Sequence, residues 1–218
     1  MKKSFISFFF GLALFFFILS FSIGLPIYFR PFYYAHITAL DLEHTSGFSN
    51  EEIKQAYDDV LDYLTLPGTE FSTGVMKHSA EGEAHFSDCK ALFTLNATVL
   101  VISATVLVVL LFLRKKKLIP KLQPGRFSPA FPAAISAIAF PIIIGIFASL
   151  DFDRAFIIFH KLFFPGKENW IFNPRTDEII RVLPQTFFMN CALLIGASVL
   201  TLSAAIIIFE LCSNKRKK

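Results

Sequence analysis

Histidine is the side chain that takes and gives a proton near neutral pH, and this 218-residue chain has five: His36, His44, His78, His85 and His160. Two of them adjoin long apolar runs. His85 sits in Glu83-Ala84-His85-Phe86-Ser87-Asp88, and His160 ends the run Asp151-Phe152-Asp153-Arg154-Ala155-Phe156-Ile157-Ile158-Phe159-His160. An ionisable group at a membrane boundary is costly and is a functional candidate by default. If the helix around His85 extends outward, Asp88 lies one turn away and could orient its ring. If the helix before His160 extends too, Asp153 and His160 share a face, two turns apart and out of bonding reach. One imidazole would serve as base, and the other would serve the second half of an acyl transfer. There is no GxSxG and no HExxH, so a nucleophilic Ser–His pair is not supported. From spacing alone, interfacial packing explains the two histidines equally well. A metal site built from both histidines and Glu83 is a third reading. Cys89, Cys191 and Cys212 lack zinc-type spacing, and at most Cys89 and Cys191 could pair.

Elements must hold these side chains, and composition says which kind. The chain is 54% hydrophobic and only 17% charged, with a mean hydropathy of +0.57. A soluble domain of this size cannot bury that much apolar surface, whereas lipid removes the problem. The net charge of +4 comes from short basic clusters beside apolar runs, which is a topology signal and points away from nucleic acid. Four stretches are long enough to span a bilayer: residues 5–29, 91–113, 130–150 and 186–211. The first is longer than a signal-peptide core, and no small-x-small cleavage site follows it, so it reads as a retained anchor. A three-span chain with this segment cleaved is the competing reading. Lys2 and Lys3, the stretch Arg114-Lys115-Lys116-Lys117 with Lys121 and Arg126, and the end Lys215-Arg216-Lys217-Lys218 contain no acid. The positive-inside rule then sets both termini, the 114–129 loop and the 212–218 tail in the cytoplasm of a plasma-membrane protein. The clusters could also bind anionic headgroups.

The expected fold is therefore a single membrane domain, residues 1–218, of four transmembrane helices. Loops 30–90 and 151–185 build a small extracytoplasmic domain of mixed helix and short strands. Phe48-Ser49-Asn50-Glu51-Glu52-Ile53 is a capping box with a hydrophobic staple. Ile53, Tyr57, Val60, Leu61 and Leu64 follow at helical spacing, and Leu66-Pro67-Gly68 stops the helix. Asp58, Asp59 and Asp62 then mostly face water. Tyr28, Phe29, Pro31, Phe32, Tyr33 and Tyr34 read as an interfacial aromatic belt, from which Arg30 could reach a lipid phosphate. Turns or short strands are expected over 71–84. Asn173-Pro174 marks a turn, after which Thr176 caps a short helix over 177–183 with Asp177 paired to Arg181. Trp170 and Phe172 read as interface or core aromatics.

Several blocks carry a family resemblance. They are Tyr63-Leu64, Glu83-x-His85-Phe86-x-Asp88 and Asp151-Phe152-Asp153-x-x-Phe156-x-x-Phe159-His160-x-x-Phe163-Phe164, followed by Trp170-x-Phe172-x-Pro174-x-x-Asp177-x-Ile179-Ile180 and Leu183-Pro184-x-x-Phe187-Phe188. Together they resemble the four-span lipoprotein intramolecular transacylases of low-GC Gram-positive bacteria, over nearly the whole chain. The resemblance implies transfer of the sn-2 acyl chain of a diacylglyceryl-modified lipoprotein to its N-terminal cysteine amine, giving the lyso form. It implies His85 and His160 as the essential pair, no cofactor and no metal. The substrate would enter from membrane lipid at an extracytoplasmic site. Asp88 or Asp153 would orient a ring, Arg154 would be a charge partner, and Glu83, Asp151, Tyr63, Trp170, Asp177 and Arg30 are the remaining candidates for support or substrate binding. The rival is a non-enzymatic membrane accessory or binding protein for envelope lipoproteins.

Overall fold

The computed structural model describes residues 2–120, 122 and 127–215, so the basic residues Lys121, Arg126, Arg216, Lys217 and Lys218 lie outside the described residues. Eight α-helices are described: α1 (Lys2–Tyr28), α2 (Arg30–Ala39), α3 (Leu42–Ser46), α4 (Asn50–Thr65), α5 (Ala80–Lys115), α6 (Ala130–Leu150), α7 (Phe152–Phe163) and α8 (Gln185–Lys215), with a 3₁₀ turn at Glu178–Arg181. Four of them, α1, α5, α6 and α8, are long and apolar enough to cross a membrane. Two compact units divide the chain. One comprises Met1–Gly24, Asn96–Phe147 and Leu194–Lys218, the other Leu25–Leu95 and Ala148–Leu193.

The first unit is made from the membrane-type helices. Ile18, Ala137 and Val199 form its small buried centre, with Leu14, Phe15, Leu19, Leu202 and Ile206 packed around it. Most other large apolar side chains here point outward, Val108, Phe147 and Phe209 among them, as suits a lipid solvent. Small polar groups join the helices: Ser22 donates to Ser198 (3.0 Å), and the Asn96 amide donates to the Ser20 carbonyl (3.2 Å). Gly11 lies so close to the Pro129 carbonyl that an added Cβ would stand 3.2 Å from it. The start of α6 is held by Glu210, whose carboxylate accepts from the Ser128 backbone N–H (3.2 Å) and hydroxyl (2.5 Å).

The second unit has a different core. Its α4 begins with the expected capping box: Ser49 accepts from the Glu52 N–H, and Glu52 accepts from the Ser49 N–H. Ile53, Tyr57, Val60, Leu61 and Leu64 are buried at the expected spacing, joined by Ala56. Phe48 packs against the same cluster. The helix ends at Thr65, and Gly68 takes a positive φ of 74° just beyond it. Tyr33 of α2 is fully buried, stacked on Tyr57 at 3.7 Å, and its hydroxyl donates to the Val182 carbonyl at 2.8 Å. Ile179, Val182, Leu183 and Phe187 complete this core.

Several expectations are corrected. The described residues contain no strand; the stretch before Ala80 is turns and irregular chain. The aromatic belt is divided. Tyr28 and Phe29 are exposed, but Tyr33 is core and the Tyr34 hydroxyl bonds Asp58. The acids of α4 do not simply face water. Asp58 and Asp62 pair with Arg30, and Asp59 accepts from Gln55 and Ser72. Arg30 is thus committed to protein carboxylates instead of a lipid phosphate. Residues 177–183 form only a 3₁₀ turn, Glu178–Arg181, and Thr176 donates to Asp177 and to the Asn173 carbonyl instead of capping a helix. Arg181 pairs with Glu178 and donates to the Ser46 carbonyl, not to Asp177. Cys89 and Cys191 are free thiols.

Asp177 instead fixes the start of α5. Its Oδ1 accepts from the Ser79 N–H (2.8 Å) and hydroxyl (2.7 Å), and Ser79 in turn caps α5 by accepting from the Gly82 N–H (3.0 Å). A Cβ on Gly82 would stand 2.2 Å from Asp177 Oδ1. In an open helix Gly→Ala stabilises by about 1 kcal/mol. Here Gly82→Ala is expected to destabilise instead, by about 1–3 kcal/mol through overpacking. Thermal unfolding of the purified variant in detergent reads the sign directly.

Candidate active site

His85 and His160 reach their places by different local routes. A bilayer core takes about 20 helical residues, roughly 30 Å. With 36 residues, α5 is far longer, so its polar first turns, including His85, are surplus to a crossing. His160 is not on a prolonged α6. That helix ends at Leu150, and Asp151, extended at φ −160° and ψ 96°, caps a new helix by accepting from the Arg154 N–H at 2.8 Å. The span ends at Leu150, the bound expected from hydropathy, and the conditional extension of that helix through Asp153 does not occur; Asp153 and His160 share the separate helix α7. His160 then lies in the last turn of α7 as its one buried side chain.

The second unit brings the two imidazoles side by side, tilted 33° to each other. Their ring centroids are 5.8 Å apart, and the residues are 6% and 7% exposed. Aromatic side chains enclose them. Phe164 and Phe172 meet His85 edge-on at 4.9 and 5.4 Å. Trp170 stacks on His160 at 4.7 Å, and Phe156 lies 4.2 Å from it. The Trp170 indole N–H is held by the Lys167 carbonyl at 3.0 Å.

Hydrogen bonds decide the state of His160. Its Nδ1 lies 2.8 Å from the Phe156 carbonyl oxygen. A carbonyl only accepts, so Nδ1 carries the proton, and in the neutral ring Nε2 holds the lone pair. Burial, only partly offset by that carbonyl, pushes the His160 pKa below its ordinary value. Neutral, with Nε2 free to accept, is the form a general base requires. The Nε2 of His85 lies 3.4 Å from the Cys89 thiol, one turn along α5, while its buried Nδ1 has no hydrogen-bond partner among the described residues. A buried polar atom without a partner is costly and calls for an explanation, of which a bound substrate group is one.

The other sequence candidates fall into two groups. Trp170 is in the aromatic enclosure. Asp88 is near but does not orient His85; its carboxylate bonds the Lys167 ammonium (2.5 Å) and the Asn169 amide (3.1 Å). Asp151 caps α7, Asp153 accepts from Gln185 at 2.6 Å, and Asp177 secures α5. Tyr63 packs on Phe71 and under the Lys90 ammonium, and Arg30 pairs with Asp58 and Asp62. Arg154 is exposed. Glu83 is exposed too and is not gathered with the two histidines: among the described residues no three His, Cys, Asp or Glu side chains are placed together as metal ligands. Cys89, Lys167 and Asn169 were missed as neighbours of the pair. Lys167 and Asn169 sit in a polar turn whose composition suggests only solvent, and Cys89 is a lone thiol four residues after His85.

The family model for lipoprotein intramolecular transacylase Lit matches residues 8–188. The membrane-integral lipoprotein intramolecular transacylase Lit from Bacillus cereus superposes with a TM-score of 0.86 at 26% identity, covering 100% of this chain and 99% of that one. A histidine-to-alanine variant of that protein matches with a TM-score of 0.80 at 25% identity, covering 100% and 96%. No curated protein matches. The family match over 8–188, the four membrane-type helices and the near-complete structural overlap agree: this chain belongs to the lipoprotein intramolecular transacylase family and is a multi-pass membrane acyltransferase.

Proposed function

We propose that His85 and His160 form the catalytic centre of this acyltransferase, and that the acyl group moves within a diacylglyceryl-modified lipoprotein. The α-amine of the N-terminal cysteine attacks the carbonyl carbon of the sn-2 ester. A carbon–nitrogen bond forms, the carbon–oxygen bond to glycerol breaks, and the proton lost by nitrogen ends on the glycerol oxygen. The product is an N-acyl, lyso-form lipoprotein, and no outside reactant is consumed. The observation that carries this reading is the adjacent pair of buried imidazoles, one with its Nδ1 proton committed to a backbone carbonyl.

His160 is the base in this scheme, since its Nε2 lone pair is available. An α-amine has a pKa of about 7.7–8.0, so much of it is protonated at neutral pH and must lose a proton before or during attack. His85, at 5.8 Å, serves the developing oxyanion or the leaving glycerol oxygen. Both reacting groups belong to one molecule, so positioning supplies much of the acceleration. The aromatic enclosure excludes water that would otherwise hydrolyse the ester. The charge pattern supports a site on the extracytoplasmic side: Lys2, Lys3 and Arg114–Lys117 mark the opposite, cytoplasmic ends of the spans. The lipoprotein then enters from the outer leaflet.

Single replacements His85→Ala and His160→Ala should each leave a folded, membrane-inserted protein whose formation of lyso product falls by about 10²–10⁴-fold. Mass spectrometry of the lipoprotein N-terminal peptide reads the product; undiminished product from both variants contradicts the assignment. A second prediction concerns pH. Because burial lowers the His160 pKa, its neutral form persists below about 6.5, the ordinary value, and the base is lost only as pH falls through the lower one. NMR titration of isotope-labelled histidine in the detergent-solubilised protein should place His160 below 6.5; a value above it removes the basis for the base role.

A further inference from the structure

Asn169 was absent from every sequence expectation, yet its geometry is specific. Its Nδ2 donates to Asp88 Oδ2 at 3.1 Å, while Asp88 Oδ1 accepts from the Lys167 ammonium at 2.5 Å. A carboxylate paired with an ammonium only accepts, so the amide nitrogen must be the atom facing Asp88. The amide oxygen is thereby turned away from it. That Oδ1 is buried and has no hydrogen-bond partner among the described residues. An amide locked in this orientation, with its acceptor buried and unused, costs free energy unless a donor arrives.

The surroundings say what kind of donor. Asn169 precedes Trp170, whose indole stacks on His160, and its partner Asp88 lies three residues after His85 on α5. His85 also leaves a buried nitrogen, Nδ1, unpartnered. Two unused polar atoms thus belong to residues tied to the aromatic enclosure, His85 as a member of it and Asn169 through its neighbour Trp170 and its partner Asp88. The reaction proposed above brings one strong N–H donor there, the α-amine of the substrate. We infer that Asn169 is a substrate-contacting residue that accepts an N–H of the α-amine through Oδ1, with Asp88 and Lys167 as positioning residues that fix the amide. The contact holds the amine as a nucleophile: one N–H goes to Asn169, another to the base, and the lone pair remains free for the ester carbon. This inference rests on the transacylase reading of the site.

The test uses the full-length protein in detergent and two non-transferable probes. One is a lipopeptide whose glycerol carries two ether-linked alkyl chains. The other is the same molecule with hydrogen in place of the α-amine. The wild-type protein should bind the amine probe about tenfold more tightly, the scale of one good hydrogen bond. Asn169→Ala and the size-matched Asn169→Leu should erase that preference while still binding the amine-free probe, which reports an intact fold. Asp88→Ala, which frees the amide to rotate, should weaken the preference too. An unchanged preference in both Asn169 variants, or no preference in the wild type, overturns the inference. Turnover of the corresponding ester lipopeptide separates the two claims. A wild-type protein that makes lyso product but shows an Asn169-independent preference defeats only the amine contact. One that makes no lyso product, yet has an Asn169-dependent preference, defeats only the transacylase reading.

Discussion

Asp177 is only 4% exposed, and a charged carboxylate in that position is tolerable only when its oxygens are fully engaged. Burial opposes its charge, but the Ser79 N–H, the Ser79 hydroxyl and the Thr176 hydroxyl more than compensate and hold its pKa below the ordinary aspartate value. The two Ser79 bonds join the turn after Trp170 and Phe172 to the residue that caps α5. Two further bonds beside it close the same junction: the Lys77 N–H donates to the Glu178 carboxylate at 2.9 Å, and the Glu178 N–H donates to the Lys77 carbonyl at 3.0 Å. Gly82 has no Cβ because the carboxylate occupies that space. Its stabilisation is present above about pH 3.9, the ordinary aspartate value, and is lost only as pH falls through the lower folded one. Everything at the site depends on this junction. It sets the start of the helix that carries His85 against the segment that carries the aromatic enclosure.

Given that junction, the site's chemistry follows from burial and from which groups can only accept. The Phe156 carbonyl leaves His160 one tautomer. The Asp88 carboxylate leaves Asn169 one amide orientation. Neither constraint needs a charge at the reacting centre, which suits a reaction between an ester and a neutral amine. The low-dielectric enclosure of Phe156, Phe164, Trp170 and Phe172 strengthens each polar contact made inside it. Apolar side chains also dominate the outside of α7, where Ile158, Leu162 and Phe163 are exposed while His160 is buried.

How much of this the sequence disclosed depends on the range of the interactions. Hydropathy and length alone located all four membrane-type helices, because a span is a local property. The Ser49–Glu52 capping box was readable for the same reason, since its two partners are three residues apart. His85 and His160 stood out as ionisable groups beside apolar runs, but spacing did not bring them together across 75 positions of chain. What was lost was long-range or depended on competition for partners. Arg30 chose Asp58 and Asp62, Asp88 chose Lys167 and Asn169, and Asp177 chose Ser79, each over a nearer or more obvious partner. Tyr33 read as an interfacial ring because its neighbours are aromatic; its burial depends on Tyr57 and Val182, which no local window contains. Hydropathy ended the third span at residue 150, but that Asp151 caps a new helix there was not read from the sequence.

In the proposed reaction His85 and His160 act as one unit in a single proton-handling step. A double-mutant cycle on the turnover of a diacylglyceryl lipopeptide addresses it, comparing His85→Ala, His160→Ala and the double variant with the wild type. Residues that work in one step are strongly non-additive. The double variant should turn over at about the rate of the slower single variant. Losses that multiply, leaving the double variant slower by the product of the two single effects, would mean independent contributions and would contradict a shared step.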